Sequence, residues 1–213
     1  MPPMDRLLAF VAMATVIILI PGPSVLFVLG RALAHGRRTA LLSVLGNTSG
    51  ACVLAGAVAV GLGPVVERSA VAFLTLKLAG AAYLVYLGVK AFRHRRSLQQ
   101  AFGAAAPPAR GDLRTLAEGF VVGVTNPKTM VFFAAVLPQF VDREAGHVPL
   151  QLLLLGALFN GIALCCDSAW GLASSAARGW FARSPRRLRA VGGAGGLAMI
   201  GLGVTVAATG RAD

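Results

Sequence analysis

Two short segments interrupt apolar stretches with residues that could do chemistry. Pro21-Gly22-Pro23 lies in the first stretch, and Asn126-Pro127-Lys128 lies in the fourth. Proline has no amide hydrogen, so each proline removes a helical hydrogen bond and leaves a carbonyl about one turn earlier without its donor. Such carbonyls can bind an ammonium group, and the positive ends of half-helices can bind a carboxylate. These are the two charged ends of a free amino acid.

Two ionisable residues lie deep in apolar stretches, Lys128 in the fourth and Asp167 in the fifth. A charge near the bilayer midplane costs on the order of 3 kcal/mol, so such residues usually face a polar interior and have a partner. We expect Asp167 to pair with Lys128 or with a substrate ammonium, and both are candidates for proton coupling. The alternative is a structural pair that holds two helices together.

Five more polar residues are secondary candidates for the same site. Asn47 and Asn160 occupy comparable places in the second and fifth stretches, where each could line a cavity or join two helices. Glu118 is expected near the cytoplasmic interface, and the stem of Lys77 is long enough to extend its ammonium toward the surface. The fifth is Ser24, directly after the first break.

The composition indicates that membrane helices position these residues. Of 213 residues 56% are apolar and 13% are charged, and the mean hydropathy is +0.74. A soluble domain carries about 25% charged residues. The apolar stretches run roughly over 7–30, 40–66, 70–91, 115–137, 149–176 and 189–209. None alternates with period two, as barrel strands do, so we predict an all-α membrane protein with six transmembrane helices, of which helices 1 and 4 are broken.

The two breaks are separated by about half of the chain, which indicates an internal repeat. Because each half has three spans, an odd number, two tandem halves must have opposite orientations, as in many secondary transporters. We therefore predict one transmembrane domain over 1–213. It divides into repeat 1 at about 5–92, a basic cytoplasmic loop at about 93–114 and repeat 2 at about 115–210.

The formal net charge of +12 is unevenly distributed among the loops. Connections 1–2, 3–4 and 5–6 with their flanks carry 14 of the Lys and Arg residues, and the opposite side carries 4. Basic loops stay in the cytoplasm, which predicts a multi-pass protein of the inner membrane with both termini outside. The basic residues then contact anionic membrane lipid, and no nucleic-acid partner is predicted.

Other chemistries find little support in the sequence. Cys52, Cys165 and Cys166 lie in apolar stretches and are expected to be small buried residues. Their spacing fits no metal site, and the histidines fall between the stretches. No Walker sequence is present. We predict neither an enzyme nor a cofactor nor a metal, so transport would draw on an ion gradient.

The chain resembles the LysE/RhtB family of bacterial amino-acid exporters over nearly its whole length. The matching motifs are Ile20-Pro21-Gly22-Pro23, Asn126-Pro127-Lys128 followed by Phe132-Phe133, the stretch 76–88, and Asp167 with nearby Trp170. The resemblance implies secondary active export of an amino acid or a related zwitterion, by proton antiport, with a homodimer as an option. It also implies that Pro21, Pro23, Asn126, Pro127 and Lys128 form the transport core.

Two further points leave the function open at this stage. Many members of the family have Asp or Asn directly after Pro-Gly-Pro, whereas this chain has Ser24, which favours a neutral or polar substrate over a dicationic one. An ion exporter or small channel on the same scaffold is one alternative function, and a non-transporting membrane subunit is another.

Overall fold

A computed structural model describes residues 3–68, 70–93, 111–177, 180 and 184–208, and the described residues form helices and their connections only. A π-helical turn, Phe132–Val136, and a 3-10 turn, Leu137–Phe140, follow the short α-helix Pro127–Val131. Most of the predicted basic loop, residues 94–110, lies outside the described residues. The α-helices are α1 Met4–Leu19, α2 Pro23–His35, α3 Arg37–Arg68, α4 Ala70–Arg93, α5 Asp112–Val124, α6 Pro127–Val131, α7 Val148–Ala176 and α8 Pro185–Ala208.

The helical prediction is confirmed, and most of the predicted spans have counterparts of membrane length. Four segments are long and apolar enough to cross a bilayer, and α1 with α2 makes a fifth if the pair is one span bent by 49°. The third predicted span lies in α4, which is 24 residues long but is not among these segments. The four are Arg37–Gly61, Asp112–Phe140, Val148–Ala176 and Arg189–Ala208.

Both predicted breaks are present, and proline explains each of them. The first helix ends at Leu19, and Pro23 begins α2 at a position where its missing amide hydrogen costs nothing. In the fourth span α5 ends at Val124, and Pro127 begins α6 in the same way. The side chain of Asn126 caps α6 by accepting a 3.1 Å hydrogen bond from the Lys128 amide.

Glycines bring α3 and α5 into backbone contact. Gly46 and Gly50 of α3 lie against the α5 backbone, and Gly119 and Gly123 of α5 lie against the α3 backbone. A Cβ atom added at Gly123 would be 2.0 Å from the carbonyl oxygen of Asn47. This is the close packing of small residues expected between membrane helices, and it fixes Asn47 beside the end of α5.

Aromatic side chains fill the core on the α1 side of the breaks. The Phe132 and Phe159 ring centroids are 4.8 Å apart, and Phe10 and Phe133 pack around the same pair. All four side chains are buried. Three helical segments, α1, α7 and the π-helical turn, are thereby held together next to the breaks.

The expectation of buried cysteines is wrong for two of the three. Cys52 and Cys165 are exposed on the helical surface, and Cys166 is half-buried. An apolar residue in a membrane helix can face lipid as readily as protein, because both surroundings are apolar. Hydropathy therefore predicts the span but not which residues of it are packed inside.

Candidate functional site

Lys128 joins the two breaks. Its ammonium donates hydrogen bonds to the carbonyl oxygens of Ile17 at 2.9 Å and Ile20 at 2.8 Å. The Ile17 carbonyl would bond the amide of residue 21 in a continuous helix, but Pro21 has no amide hydrogen. The C-terminal end of α1 also carries a partial negative charge. A cation from the second break thus occupies the acceptors that the first break creates.

A chain of hydrogen bonds leads from the second break to Asp167. The Asn126 amide donates to the Ser24 hydroxyl at 2.6 Å, and that hydroxyl donates to Asn47 Oδ1 at 2.9 Å. The Asn47 amide then donates to Asp167 Oδ2 at 3.3 Å. All four side chains are buried. The chain connects four helical segments, α2, α3, α7 and the start of α6.

The buried cation and the buried anion of this site are not bonded to each other. Lys128 and Asp167 are 5% and 4% exposed, yet Lys128 makes no ion pair with any acidic residue in the described part of the chain. An ammonium has three donors and a carboxylate accepts several hydrogen bonds, so both groups keep capacity for another partner. The expected pairing of Asp167 with Lys128 is therefore not direct in this structure.

The residues of the first break lie against the same lysine. A Cβ atom added at Gly22 would be 3.1 Å from the Lys128 side chain, so the glycine leaves space for the lysine stem. Pro21 places its carbonyl oxygen beside Gly195 of α8, 2.1 Å from where a Cβ atom would be. The structure thus brings Pro21, Gly22 and Lys128 together at the first break.

The secondary candidates separate into two groups. Ser24 and Asn47 belong to the hydrogen-bonded chain, whereas Lys77, Glu118 and Asn160 do not. Lys77 is only 4% exposed, so its stem does not extend to the surface as expected. Glu118 accepts from Arg31 and, at 3.3 Å, from Arg114. Asn160 is buried, and neither polar atom of its amide has a hydrogen-bond partner among the described residues.

Sequence reasoning missed two contributors. It identified carbonyls about one turn before each proline, but it did not connect those of Ile17 and Ile20 with Lys128, more than 100 residues away. It also counted Arg31 only among the 14 basic residues of the predicted cytoplasmic side, although Arg31 bonds Glu118 across α2 and α5. No local pattern marks either long-range contact.

Known proteins similar to this chain are membrane proteins, and several of them are named for efflux. The model of the LysE type translocator family matches residues 15–210. A homoserine/homoserine lactone efflux protein of Salmonella typhimurium is 30% identical over 93% of this chain and 94% of its own length. A leucine efflux protein of Klebsiella pneumoniae is 30% identical over 74% of each chain. An uncharacterized membrane protein of Vibrio cholerae is 31% identical over 94% of this chain and 95% of its own.

No solved structure matches this chain. The family model covers the two breaks, the hydrogen-bonded chain and Asp167, and the relatives named for efflux align over most of the sequence. Together these matches are sufficient to assign the family. The chain belongs to the LysE type translocator family of membrane transporters.

Proposed function

We propose that this protein is a secondary active exporter of a free amino acid or a closely related zwitterion, driven by proton antiport across the inner membrane. The observation that carries the proposal is the bond between Lys128 and the Ile17 and Ile20 carbonyls, which joins the two breaks in the protein interior. The buried Lys128 ammonium on these freed carbonyls supports the proposal that a substrate ammonium can bind at the same place. Asp167 supplies a buried carboxylate at the far end of the adjoining chain.

The same contacts support an inverted repeat of two three-helix halves. Ser24 directly follows Pro23, and Lys128 directly follows Pro127. Each side chain reaches the other break, since Ser24 accepts from Asn126 and Lys128 donates to Ile17. Such reciprocity is expected when two inverted halves meet at the midplane. We propose a single six-span domain with both termini outside, in which α4 is the third span.

The substrate would compete with contacts that the protein makes with itself. Its ammonium would take the place of the Lys128 ammonium on the α1 carbonyls or would bind Asp167. Its carboxylate would bind the released Lys128 and the first amides of α2, where Gly22 has no side chain to cap them. Two relatives are named for efflux of homoserine or its lactone and of leucine, which makes L-homoserine and L-leucine suitable probes.

In the proposed proton coupling, the substrate ammonium and a proton bind alternately to the Asp167 carboxylate. On the inward-open side the carboxylate would hold the substrate ammonium, and on the outward-open side a proton would replace that ammonium on the carboxylate. Each return of the empty carrier would then bring one proton inward for the substrate released. Rocking of the two halves about the breaks would give alternating access.

The test is export from cells loaded with a dipeptide that contains leucine or homoserine. Wild-type protein should release the free amino acid, and a protonophore should stop the release. Lys128→Met and Asp167→Asn should each reduce export at least about tenfold at equal amounts of inserted protein. Lys90→Met is the matched control, because Lys90 is an exposed lysine at the end of α4. Export retained in both site variants would overturn the site assignment, and saturable export without a proton gradient would overturn antiport.

The remaining proposals concern the alternatives and the assembly. A channel on the same scaffold would give downhill flux that does not saturate, and a non-transporting subunit would give no flux after reconstitution of the purified protein. A homodimer is the proposed assembly, and the mass of the purified protein in nanodiscs tests it. The flux after reconstitution and the mass in nanodiscs are measured on purified protein, so they test these proposals independently of the export measurement in cells.

A further inference from the structure

A groove of about 450 Å³ lies between α2 and α5 and is lined by none of the residues of the hydrogen-bonded chain. Its lining includes the apolar residues Phe27, Val121 and Val122 and the charged residues Arg31, Arg114 and Glu118, and each helix contributes residues of both kinds. Small-molecule sites have volumes of about 300–1,000 Å³ and combine apolar walls with a few placed polar groups. The groove therefore has the size and the chemistry of a site for a small ligand.

The charges in the groove are of both signs and close together. Glu118 accepts from Arg31 on α2 and from Arg114 on its own helix. The Arg31 guanidinium also lies 5.2 Å from the Phe27 ring centroid. Arg31 and Glu118 are 16% and 25% exposed, so this pair borders the groove without being open solvent surface. A ligand in the groove therefore meets two guanidinium groups and one carboxylate that lie close together.

This arrangement matches a free amino acid better than it matches an anionic lipid headgroup that has no ammonium. A carboxylate can bind a guanidinium through two parallel hydrogen bonds, and an ammonium can bind Glu118. An aliphatic side chain would then lie on Phe27, Val121 and Val122. An anionic phospholipid would satisfy the two arginines, but it would place its negative phosphate beside the Glu118 carboxylate.

The position of the groove connects it with the two breaks. Phe27 is three residues after Ser24, and Val122 is four residues before Asn126. One helical turn is 5.4 Å long, so the groove begins about one turn from the hydrogen-bonded chain. Both helices lead from the breaks toward the side that the basic loops predict to be cytoplasmic. A molecule bound in the groove is therefore close to the central site on the side from which an exporter must load.

We propose that this groove is a loading site that binds the free amino acid from the cytoplasm before it moves to the central site. Arg31 and Arg114 bind its carboxylate, and Glu118 binds its ammonium. The inference rests on the proposed export function, but it assigns a second binding position with its own residues. Loading at the groove predicts that ligand binding there does not need Lys128.

Protection of an introduced cysteine tests the loading site. Ala117 lines the groove on α5, and Leu113 of the same helix is 81% exposed and does not line it. Ala117→Cys and Leu113→Cys are made in a variant that lacks the three native cysteines and still exports. Inside-out vesicles are labelled with a membrane-impermeant thiol reagent, with and without L-leucine or L-homoserine. At ten times the dissociation constant, a bound ligand slows labelling about tenfold.

The proposal expects slower labelling of Ala117→Cys only. The protection should persist when Lys128→Met is added, although export is lost, and it should disappear when Glu118→Gln is added. No protection by either probe, at concentrations that saturate export, would overturn the loading site and leave the exporter intact. Slowing by phosphatidylglycerol in the vesicles, with no effect of the amino acids, would also overturn it. An absence of export in the wild type would instead count against the proposed function.

A second variant keeps the proposal testable if the cysteine protein does not fold. Val121→Trp should narrow the groove and raise the cytosolic concentration for half-maximal export about fivefold, with little change in the maximal rate, because loading and not the central step is affected. Leu113→Trp is the matched control on the same helix. If the cytosolic concentration for half-maximal export is the same in Val121→Trp and Leu113→Trp, the proposal is overturned.

Discussion

The Lys128 ammonium lies 2.9 Å from the carbonyl oxygen of Ile17, the carbonyl whose helical partner would be the amide of Pro21. The proline in the first half of the chain creates an acceptor, and the lysine in the second half donates to it. The ammonium also lies at the C-terminal end of α1, where a positive charge is stabilised. Among the described residues, this buried ammonium therefore donates its hydrogen bonds to backbone carbonyls and forms no direct ion pair with an acidic side chain.

We expect Lys128→Met to destabilise the protein as well as to stop export. The apolar side chain has a similar length, but it leaves the Ile17 and Ile20 carbonyls without donors. Each buried unpaired group costs about 1–3 kcal/mol. The measurement is the free energy of unfolding in mixed micelles during titration with a denaturing detergent. Lys90→Met should leave it nearly unchanged, and equal stability of the two variants would contradict the role given to these carbonyls.

We expect Ser24 to contribute more to the free energy of unfolding than a serine whose hydrogen bond is only local. Its hydroxyl accepts from Asn126 and donates to Asn47, whereas the exposed Ser49 donates only to Gly46 one turn earlier. We expect Ser24→Ala to cost about 1–3 kcal/mol of unfolding free energy, because it removes two buried bonds. Ser49→Ala should cost a few tenths at most. Similar values for both variants would show that the chain from Asn126 to Asp167 is not a connected unit.

The breaks could be predicted from the sequence because their cause is local. Proline lacks the amide hydrogen that the helix needs, so Pro21, Pro23 and Pro127 mark the interruptions by their identity alone. The partner of Lys128 could not be predicted, since it is a backbone carbonyl that every residue type carries. Which carbonyl receives the ammonium depends on how the two breaks pack, and that packing is set by the whole bundle.

Side-chain type also failed to distinguish the two buried asparagines. Asn47 and Asn160 occupy comparable places in their stretches, yet Asn47 links Ser24 with Asp167 and Asn160 has no described partner. The difference follows from the glycine contacts of α3 with α5, which hold Asn47 beside the second break. Such a difference requires knowledge of which helix faces are in contact.

The glycine contact of α3 with α5 should be intolerant of a single methyl group. A Cβ atom at Gly123 would lie 2.0 Å from the Asn47 carbonyl oxygen, whereas one at Gly161 of α7 has no atom within 4 Å. We expect Gly123→Ala to reduce the yield of folded protein strongly and Gly161→Ala to leave it unchanged, because overpacking costs about 1–3 kcal/mol or more. The measurement is the monodisperse fraction after size-exclusion chromatography. A normal yield of Gly123→Ala would contradict the close approach.

The ion pair of Arg31 with Glu118 should couple α2 and α5 energetically. Both side chains are mostly buried, while Arg38 and Asp112 form a pair that is 78% and 53% exposed. A double-mutant cycle with glutamine and asparagine replacements should give a coupling energy of about 1–3 kcal/mol for the first pair. The exposed pair should give about 0–1 kcal/mol. Coupling energies in the reverse order would contradict the prediction that the Arg31–Glu118 ion pair couples α2 with α5.

Asn160 and Gln151 offer a matched test of hydrogen-bond satisfaction within α7. Both are buried, but Gln151 exchanges hydrogen bonds with the backbone of Asp142 and donates to Gly146, whereas the amide of Asn160 has no described partner. We expect Asn160→Leu to raise the free energy of unfolding by about 1 kcal/mol and Gln151→Leu to lower it by about 1–3 kcal/mol, because only the second leaves backbone groups unpaired. A loss in both variants would show that Asn160 has a partner after all, such as a buried water. If Asn160→Leu is more stable than the wild type, its export activity decides whether the Asn160 amide binds the substrate. Loss of export would indicate that it does, and unchanged export would indicate that it does not.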